Sequence, residues 1–419
     1  MRVVIARAKL PPEAASLRIL FVTHRLPWPP DKGDRIRSWR WLDAMAGSHE
    51  VWLGAMAETG EELHRAREIE DRLAGIGVFR RPSRARAALG LLTGRSLSEE
   101  VFGSRDLRGW VERIAMTVKP DLAFGFSSTT AQFLEHLECP RFMDLVDVDS
   151  EKWSRYGERG LLAPLWRLEA ERLRSVELEI VGTYDRVFAI SREEAGRLGP
   201  AGSGVEVLPN GVDSVRFSPG EAGQRTEGSI VFVGAMDYAP NVESVRWFAH
   251  EVLPGIQRAV PAATFTIVGS NPTRSVRSLG RRVGVEVTGT VDDVVPHLRR
   301  ACVAVAPLRI AMGVQNKVLE AAAAGLPVVA TPGAVSGLDL VPGREVLVAE
   351  QAEEFAATVV DLLGNREARE ALGRAAREAV VVRYRWEPVT GKLLDMIEEV
   401  GGADAAPGLE TPSGEAEAT

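Results

Sequence analysis

The sequence is poor in features that would place the protein outside the ordinary soluble globular class. It holds two cysteines among 419 residues, Cys139 and Cys302, far apart and in different candidate domains. This argues against a disulfide framework and fits a reducing compartment. No apolar run approaches the roughly 18 residues that a membrane-spanning helix needs. Residues 1–17 lack the long apolar core and cleavage site of a signal peptide. We therefore expect a cytoplasmic protein.

The sequence also lacks the features typical of nucleic-acid-binding proteins, nicotinamide-dependent dehydrogenases and metalloenzymes. The formal net charge of -7 gives no reason to expect a nucleic-acid partner. A nicotinamide-dependent dehydrogenase needs a glycine-rich fingerprint after a strand, and both "FVTHRLPWPP" and "FVGAMDYAPN" lack one. No acidic pair suggests a set of metal ligands, because Asp292 and Asp293 are better placed to cap a helix. We expect no metal and no cofactor.

Short apolar runs alternate with helical patterns along both halves of the chain, which predicts an α/β fold with parallel sheets. Strands are predicted at "RILFVT", "EVWLGAM", "DLAFGF", "RFMDLV" and "RVFAIS", and again at "SIVFVGAM", "TFTIVGS", "VEVTGT", "CVAVAPL" and "PVVAT". The predicted organisation is an N-terminal extension (1–17), a Rossmann-like domain (18–207), a linker (208–228), a second Rossmann-like domain (229–385), a C-terminal helix (386–400) and a disordered tail (401–419).

The stretch "AMGVQNKVLEAAAAGLPVVAT", residues 311–331, has the pattern of a loop, a helix and a strand. Ligands bind at the carboxyl ends of parallel strands, where this helix would begin. Gly313 would let the backbone approach an anion, and Lys317 would add a positive charge for phosphate. Glu320, one turn deeper, would repel a diphosphate but would suit an adjoining ribose diol. The alternative is an exposed Lys317–Glu320 helix pair without a ligand.

The loop after the first predicted strand, "PWPPDKGDRIRSW", enters a helix at Gly33. Lys32, Arg35 and Arg37 crowd that helix start, and we expect them to form a wall that contacts the acceptor or the donor diphosphate. The alternative is a stiff surface loop. His24 also follows this strand on the cleft side, although a lone histidine is more often structural.

The sequence resembles a known family over about residues 18–400. The matching segments are "RILFVTHRLPWPPDKGDRIRSW", "DLVDVDSEKW", "LPNGVD", "VGAMDYAPNVESVRWF", "VTGTVDDVVPHL" and "PLRIAMGVQNKVLEAAAAGLPVVAT". These segments are similar to the retaining glycosyltransferases of family 4, which have the two-domain GT-B fold. They more closely resemble the sugar transferases found with bacterial exopolysaccharide and exosortase (PEP-CTERM) gene clusters.

The resemblance implies roles for residues of the second domain. Glu320 matches the second glutamate of the family's pattern, in which seven residues separate two glutamates, and this second glutamate binds the ribose. The first glutamate falls at Met312. The usual Arg and Lys after the first strand of this domain are missing, so Arg309 and Lys317 are the nearest replacements. The remaining donor-binding candidates are Thr290 and Val291 at the nucleobase, and Gly313, Asn316 and Asn241.

In the first domain, many family members place a histidine at the donor sugar where this chain has Asp147. Asp147 would bind a sugar hydroxyl or receive a proton, or, alternatively, cap the following helix. We therefore group Asp147, Lys317 and Glu320 as catalytic candidates.

The resemblance implies transfer from a UDP- or GDP-linked sugar to a glycan or lipid-linked acceptor in cell-surface polysaccharide synthesis. Residues 72–98 carry six arginines and no acid, and they would contact anionic lipid at the inner face of the plasma membrane or form a solvated surface. An inactive nucleotide-sugar-binding subunit and a GT-B sugar-nucleotide epimerase remain alternatives.

Overall fold

The computed structural model describes residues 16–31, 33–82, 94–158, 160–199, 204–221, 223–309 and 313–403. Lys32 and Met312, both discussed above, lie outside these ranges. So do residues 83–93 of the arginine-rich stretch and residues 404–419 of the expected tail.

The first domain is built on a sheet of seven parallel strands in the order β3-β2-β1-β4-β5-β6-β7. The strands are rich in aliphatic and aromatic residues because helices cover both faces of the sheet. Their bounds are β1 Arg18–Thr23, β2 Glu50–Ala57, β3 Gly75–Arg80, β4 Leu122–Phe126, β5 Arg141–Val146, β6 Arg186–Ala189 and β7 Val205–Val207.

The second domain has six parallel strands in the order β10-β9-β8-β11-β12-β13. Their bounds are β8 Ser229–Val233, β9 Thr264–Val268, β10 Val285–Gly289, β11 Val303–Ala306, β12 Val328–Ala330 and β13 Leu347–Val348. In each sheet the strand order reverses once, between β1 and β4 and between β8 and β11. Such a reversal opens a crevice at the carboxyl ends of the strands, where ligands bind.

Helices pack on both faces of each sheet. In the first domain they are α1 Gly33–Ser48, α2 Gly60–Arg65, α3 Leu97–Val101, α4 Arg105–Thr117, α5 Asp149–Tyr156, α6 Ala163–Thr183 and α7 Arg192–Leu198. In the second they are α8 Ala239–Trp247, α9 Leu253–Ala259, α10 Arg274–Leu279, α11 Val295–Arg300, α12 Asn316–Ala323, α13 Pro332–Val335, α14 Ala352–Gly364 and α15 Arg366–Arg383. Short 3₁₀ helices occupy Ala66–Arg72 and Ser128–Phe133, and a π-helical turn occupies Phe248–Val252.

The last helix, α16 Trp386–Ala403, leaves the second domain and packs on the first. Leu393 and Ile397 are fully buried in the same cluster as Phe21 of β1. The Trp386 ring meets Trp41 of α1 edge to face, with centroids 5.9 Å apart. The helix therefore ties the two domains together through apolar packing.

The structure confirms the predicted α/β class with two parallel sheets. It also contains three short strands that the sequence did not predict, β3, β7 and β13, and a longer last helix. Strand β3 forms within the arginine-rich stretch, so the backbone of residues 75–80 pairs with β2 at the sheet edge. Arg81, which follows β3, binds the carboxylate of Glu58 at 2.5 Å. Helix α16 continues to Ala403, three residues into the segment predicted to be disordered.

Among the described residues, no helix combines the length and apolar character required to cross a membrane.

Candidate functional site

Helix α12 begins at the strand-order reversal of the second domain, directly after the loop that follows β11. Gly313 in this loop has a φ of +63°, which a glycine adopts without strain. The apolar face of α12 is buried, including Val318 and Leu319. This packing fixes the helix, and the N-terminus of a helix carries a partial positive charge that attracts anions.

Lys317 lies in the first turn of α12, and its ammonium group is held from two sides. Its Nζ donates to Asn241 Oδ1 at 3.0 Å and to Gln315 Oε1 at 3.1 Å. The Phe232 ring lies beneath, with its centroid 5.3 Å from Nζ. Burial lowers the pKa of Lys317 to about 8, against the opposing effect of Glu320. The lysine is therefore placed by neutral groups, and its charge remains available to an anion.

Glu320 lies one turn deeper and is partly buried. Burial raises the pKa of its carboxyl group, while Lys317 and Arg216 pull that pKa down. In the described part of the chain, no hydrogen bond or ion pair within 4.0 Å occupies its carboxylate. The arrangement therefore differs from the exposed ion pair that was the alternative prediction. A partly buried carboxylate without a partner has a desolvation cost. A ligand with two adjacent hydroxyl groups would offset this cost by donating two hydrogen bonds.

The predicted donor residue Asn241 braces this corner of the site. Its Nδ2 donates to Ala235 O at 2.9 Å while its Oδ1 accepts from Lys317. A Cβ atom at Gly234 would fall 2.7 Å from Asn241 Nδ2, so this side-chain position requires glycine at 234. Asn241 therefore acts through Lys317, and its own contact with a donor stays a prediction.

Arg309, the other candidate cation, lies at the surface of the crevice. Its side chain is 59% exposed and pairs with Glu243 at 3.6 Å. The nucleobase candidates lie at the end of β10. Thr290 is exposed and borders a groove of about 760 Å³ along the edge of that strand, and Val291 packs partly against the core.

Asp147 reaches the crevice from the first domain, immediately after β5. Val146 before it has a φ of +64°, which a β-branched residue rarely adopts, and the strand register shifts at this point. This bulge turns Asp147 toward the second domain, where a Cβ atom at Gly313 would fall 2.4 Å from Asp147 Oδ1. The kinked end of β5 therefore brings Asp147 and Gly313 together.

The Asp147 carboxyl group is poorly solvated. Its Oδ1 is buried without a hydrogen-bond partner among the described residues. Burial raises the pKa of Asp147 to about 7, with further contributions from Glu194 and Asp149 and opposing ones from Arg37 and Lys152. A cavity of about 490 Å³ opens beside it, between the two domains, and Arg309 and Tyr238 are on its far wall. The predicted helix cap is wrong, because the cap position belongs to Val148 and carries no side-chain cap.

The loop after β1 differs from the wall of free cations that its sequence suggests. Arg35 is buried, donates to Asp31 at 3.2 Å and pairs with Glu62. His24 stacks on Phe126 with ring centroids 5.9 Å apart and approaches Asp34 at 3.5 Å. The charge of Arg35 is therefore shared with carboxylates inside the first domain, and the predicted contact of both residues with substrate stays a prediction.

Arg37, two residues further along α1, is a structural residue. Its guanidinium group is fully buried and binds Asp144 of β5, with Nε–Oδ2 at 2.7 Å. Asp144 also accepts from Trp41 Nε1 at 2.6 Å. The sequence alone predicts Arg37 in the cleft wall, because its partner Asp144 lies more than a hundred residues away in the chain.

Asn316 and Gly33 meet where the two domains approach each other. Asn316 Oδ1 accepts from Asn210 Nδ2 at 2.8 Å, and Asn210 Oδ1 accepts from Arg37 at 3.3 Å. A Cβ atom at Gly33 would lie 3.5 Å from Asn316 Nδ2. Asn316, predicted to bind the donor, thus also links α12 to the linker. Asn210 lies in the segment "LPNGVD", and the sequence alone does not predict this contact.

Among the described residues, no three His, Cys, Asp or Glu side chains are grouped so that they could hold a metal ion. Asp293 accepts from Val295 N at 3.2 Å at the start of α11 and pairs with Arg216 at 3.0 Å.

Comparison with known proteins adds three findings. Residues 227–365 match the family "Glycosyl transferases group 1". Over 235 residues, the chain is 32% identical to the GDP-mannose-dependent alpha-(1-6)-phosphatidylinositol monomannoside mannosyltransferase of Mycobacterium tuberculosis, a match that covers 51% of this chain and 59% of the relative. The chain thus spans less than two thirds of the length of that relative.

Solved structures match over a longer range. Sucrose-phosphate synthase from Thermosynechococcus elongatus aligns with a TM-score of 0.68 at 16% identity, over 92% of this chain and all of that one. Anabaena HepE in complex with UDP aligns with a TM-score of 0.68 at 14% identity, over 91% of this chain and all of that one. The chain has the GT-B fold. Together with the group 1 match and the mannosyltransferase similarity, this supports a glycosyltransferase.

Proposed function

We propose that the protein is a retaining glycosyltransferase that moves a sugar from a nucleotide-sugar donor to a glycan or lipid-linked acceptor. The observation that carries the proposal is the pair at the start of α12. Lys317 is held by neutral side chains at the helix N-terminus, and the Glu320 carboxylate below it has no partner among the described residues. A diphosphate next to a ribose supplies both the anion and the diol that this pair lacks.

In this proposal the donor diphosphate lies at the N-terminus of α12, on the free amide groups and the Lys317 ammonium group. Arg309 reaches the same crevice from its exposed position. Glu320 accepts hydrogen bonds from the ribose hydroxyl groups, and Thr290 and Val291 contact the nucleobase. The mycobacterial relative is named as GDP-mannose-dependent, and HepE was solved with UDP-glucose, so we propose a GDP- or UDP-linked sugar.

Asp147 is the group best placed to meet the transferred sugar. It comes from the opposite domain and lies beside Gly313, next to position 312, where the family pattern has a glutamate and this chain has methionine. An Asp147 carboxylate that accepts from a sugar hydroxyl would supply a hydrogen bond to the donor that Met312 cannot make. Its poorly solvated position favours this, since the hydroxyl would satisfy the unpaired Oδ1.

The proposed step exchanges one bond at the anomeric carbon. The bond from this carbon to the diphosphate oxygen breaks, and a bond to the acceptor oxygen forms on the same face. The acceptor proton passes to the leaving diphosphate oxygen. Lys317 and the amide groups of α12 stabilise the negative charge that develops on the diphosphate, and Asp147 holds the sugar in position.

We further propose that the acceptor belongs to cell-surface polysaccharide synthesis and that the enzyme works at the inner face of the plasma membrane. Arg80, exposed at the end of β3, and Arg95, which is also exposed, flank the part of the arginine-rich stretch that lies outside the described residues. Liposome sedimentation with and without anionic lipid tests this part of the proposal.

Thermal unfolding with UDP, GDP, ADP and CDP and their sugars tests the donor. A true donor raises the unfolding temperature in proportion to the logarithm of its concentration over its Kd. Turnover with cell-lipid acceptor and determination of the product anomer by NMR test the reaction. An inverted product contradicts the retaining chemistry. Donor isomerisation without acceptor supports the epimerase.

One observation favours a second candidate, a nucleotide-sugar-binding subunit without activity, namely methionine at position 312 in place of the first glutamate. Donor binding with no turnover on any cell-lipid acceptor supports that candidate. Turnover rejects it.

A further inference from the structure

Three buried glutamates clamp backbone amide groups in the first domain. Glu169 and Glu177 lie on one face of α6, two turns apart, and Glu194 lies on α7; they are 1%, 1% and 5% exposed. Buried carboxylates require hydrogen-bond donors to offset their desolvation. Here each one finds a backbone N–H group at or just before the N-terminus of another helix.

Glu169 holds helix α3. Its two oxygens accept from Leu97 N at 2.5 Å and from Ser98 N at 2.9 Å. These are the first two amide groups of α3, which have no partner inside the helix. Glu169 thus satisfies a helix N-terminus that is not part of the proposed site.

Glu177 and Glu194 hold the segment that carries Asp147. Glu177 accepts from Ser150 N at 3.0 Å and from Ser150 Oγ at 2.5 Å, in the first turn of α5. Glu194 accepts from Val148 N at 2.8 Å. On the other side of Asp147, Val146 O accepts from Ile190 N at 3.1 Å. The peptide groups before and after Asp147 are therefore both fixed from outside the segment.

The Glu177 hydrogen bonds at the start of α5 affect where an anion binds. A helix N-terminus attracts negative charge, and α5 begins in the crevice just as α12 does. At α5 that attraction is already met by Glu177, whereas at α12 no carboxylate of the described residues takes the equivalent position. The donor diphosphate is thereby directed to α12.

We propose that Glu177 and Glu194 are positioning residues that hold segment 147–150 so that the Asp147 carboxylate faces the donor sugar. The inference rests on the proposed function for its link to sugar binding. The hydrogen bonds from the backbone to Glu177 and Glu194 can be tested without any ligand.

Burial is the main reason that the pKa of Asp147 is raised, and ionisable groups on several elements shift that pKa further. They are Glu194 on α7, Asp149 and Lys152 on α5, Arg37 on α1, and, from the second domain, the ionisable Tyr238. Because the negative charge of Glu194 raises the pKa of Asp147, its removal by Glu194→Gln lowers that pKa. Glu177 is not among the groups that shift Asp147, so Glu177→Gln removes a clamp without this electrostatic effect.

Amide hydrogen exchange of the full-length protein tests the clamp, with Glu169→Gln as the matched control. We expect Glu177→Gln and Glu194→Gln to accelerate exchange in peptides covering 147–152 by about tenfold or more, and to leave 97–101 unchanged. Glu169→Gln should do the reverse. Unchanged exchange at 147–152 in both variants, or equal acceleration there in Glu169→Gln, overturns the inference.

The link to sugar binding is tested by calorimetric titration of GDP-mannose against GDP, and of UDP-glucose against UDP, between pH 5 and 9. The Kd of the nucleoside diphosphate divided by the Kd of its sugar-linked form gives the contribution of the sugar to binding. We expect Glu194→Gln to move the midpoint of this ratio to lower pH, Glu177→Gln to reduce the ratio roughly tenfold without moving the midpoint, and Glu169→Gln to change neither. A midpoint that does not move in Glu194→Gln overturns the role of that residue.

If the wild-type protein binds none of these nucleotides, the proposed function and the role in sugar binding both fall. The exchange pattern still decides whether the glutamates hold the segment, so the two failures are distinguishable.

Discussion

Asp147 of the first domain lies so close to Gly313 of the second that a Cβ atom at position 313 would fall 2.4 Å from Asp147 Oδ1. Gly313 also has a φ of +63°, in the left-handed region that favours glycine. The two halves of the candidate site therefore meet at a point with no room for a larger residue. Both the cleft geometry and the backbone conformation require glycine there.

We predict that Gly313→Ala destabilises the protein by about 1 to 2 kcal/mol from the left-handed backbone alone, and further through the clash with Asp147. Chemical denaturation measures the loss. The double variant Gly313→Ala/Asp147→Ala removes the clash, so the two substitutions should be non-additive, as expected for residues in contact. Strict additivity would show that the two residues do not touch in solution.

The pKa values of Asp147 and Lys317 predict a bell-shaped dependence of kcat/KM on pH, since this parameter reports groups of the free enzyme. Asp147 accepts a hydroxyl hydrogen bond when ionised, so activity rises through its pKa of about 7. Lys317 binds phosphate when protonated, so activity falls through its pKa of about 8.

Donor turnover between pH 5.5 and 9.5, roughly two units around these values, measures both limbs. Asp147→Asn should remove the acid limb and Lys317→Met the alkaline one. If each limb persists in the variant that lacks its residue, other groups control the profile.

Asp147 should also reduce the stability of the folded protein at alkaline pH. Its folded pKa of about 7 lies above the ordinary value of 3.8, so the native state binds this proton more tightly than the unfolded state does. Below pH 4 the group is protonated in both states and has no effect. Between pH 4 and 7 an ionised carboxylate becomes increasingly favoured in the unfolded chain, and above pH 7 the full penalty is present.

We therefore predict that Asp147→Asn raises the free energy of unfolding at pH 8 by on the order of 1 to 3 kcal/mol, a range reduced for partial exposure. The gain should shrink as the pH falls toward 4. Urea denaturation at several pH values measures it, and Asp106→Asn on an exposed turn of α4 serves as the control. A gain that does not depend on pH would assign the effect to something other than this ionisation.

Arg37 and Asp144 form a fully buried ion pair between α1 and β5. Arg37→Met leaves the Asp144 carboxylate buried without its cation, and we predict a loss of about 3 to 5 kcal/mol in the free energy of unfolding. Arg40→Met, in the same helix, breaks a pair with Asp213 that is 34% and 39% exposed. That loss should stay under about 1 kcal/mol. Similar losses in the two variants would contradict the structural role of Arg37.

The fold class was predictable because it rests on local patterns. Runs such as "RFMDLV" are apolar enough to be buried on both faces of a sheet, and the structure places β5 at Arg141–Val146 as predicted. Strands β3, β7 and β13 were missed, because all three are short and lie at sheet edges. In β3, glycines and flanking arginines also conceal the apolar pattern. The helix at 316–323 was recognisable from its alanine content and from Gly325 after its end.

The site was less predictable because it depends on contacts between distant segments. The sequence indicates that Lys317 and Glu320 share a helix, but it does not indicate that Asn241 braces the lysine. It also gives no sign that Arg37 pairs with Asp144, or that Glu177 and Glu194 clamp the backbone around Asp147. Such partners follow from the packing of elements, which no local pattern specifies.

Glu320 and Lys317 give the most direct test of the donor site. Glu320→Gln keeps the shape of the side chain but removes the charge from two hydrogen bonds to a ribose. Hydrogen bonds to charged groups contribute roughly 1.5 to 3 kcal/mol, so we predict that binding of GDP or UDP weakens by about ten- to a hundredfold. Calorimetric titration with the nucleoside diphosphate and with the matching nucleoside measures this loss.

Binding of the nucleoside without phosphate distinguishes the role of Lys317 from that of Glu320. Lys317→Ala should weaken binding of the diphosphate but leave guanosine or uridine unaffected, because the ammonium group acts on phosphate. Glu320→Gln should weaken binding of both, since both carry the ribose. Arg366→Ala, which breaks an exposed pair with Glu370 on α15 far along the chain, provides a control that should bind normally. Wild-type affinity for the nucleoside in Glu320→Gln would mean that this carboxylate does not bind ribose, and the assignment of the donor site to α12 would then depend on Lys317 alone.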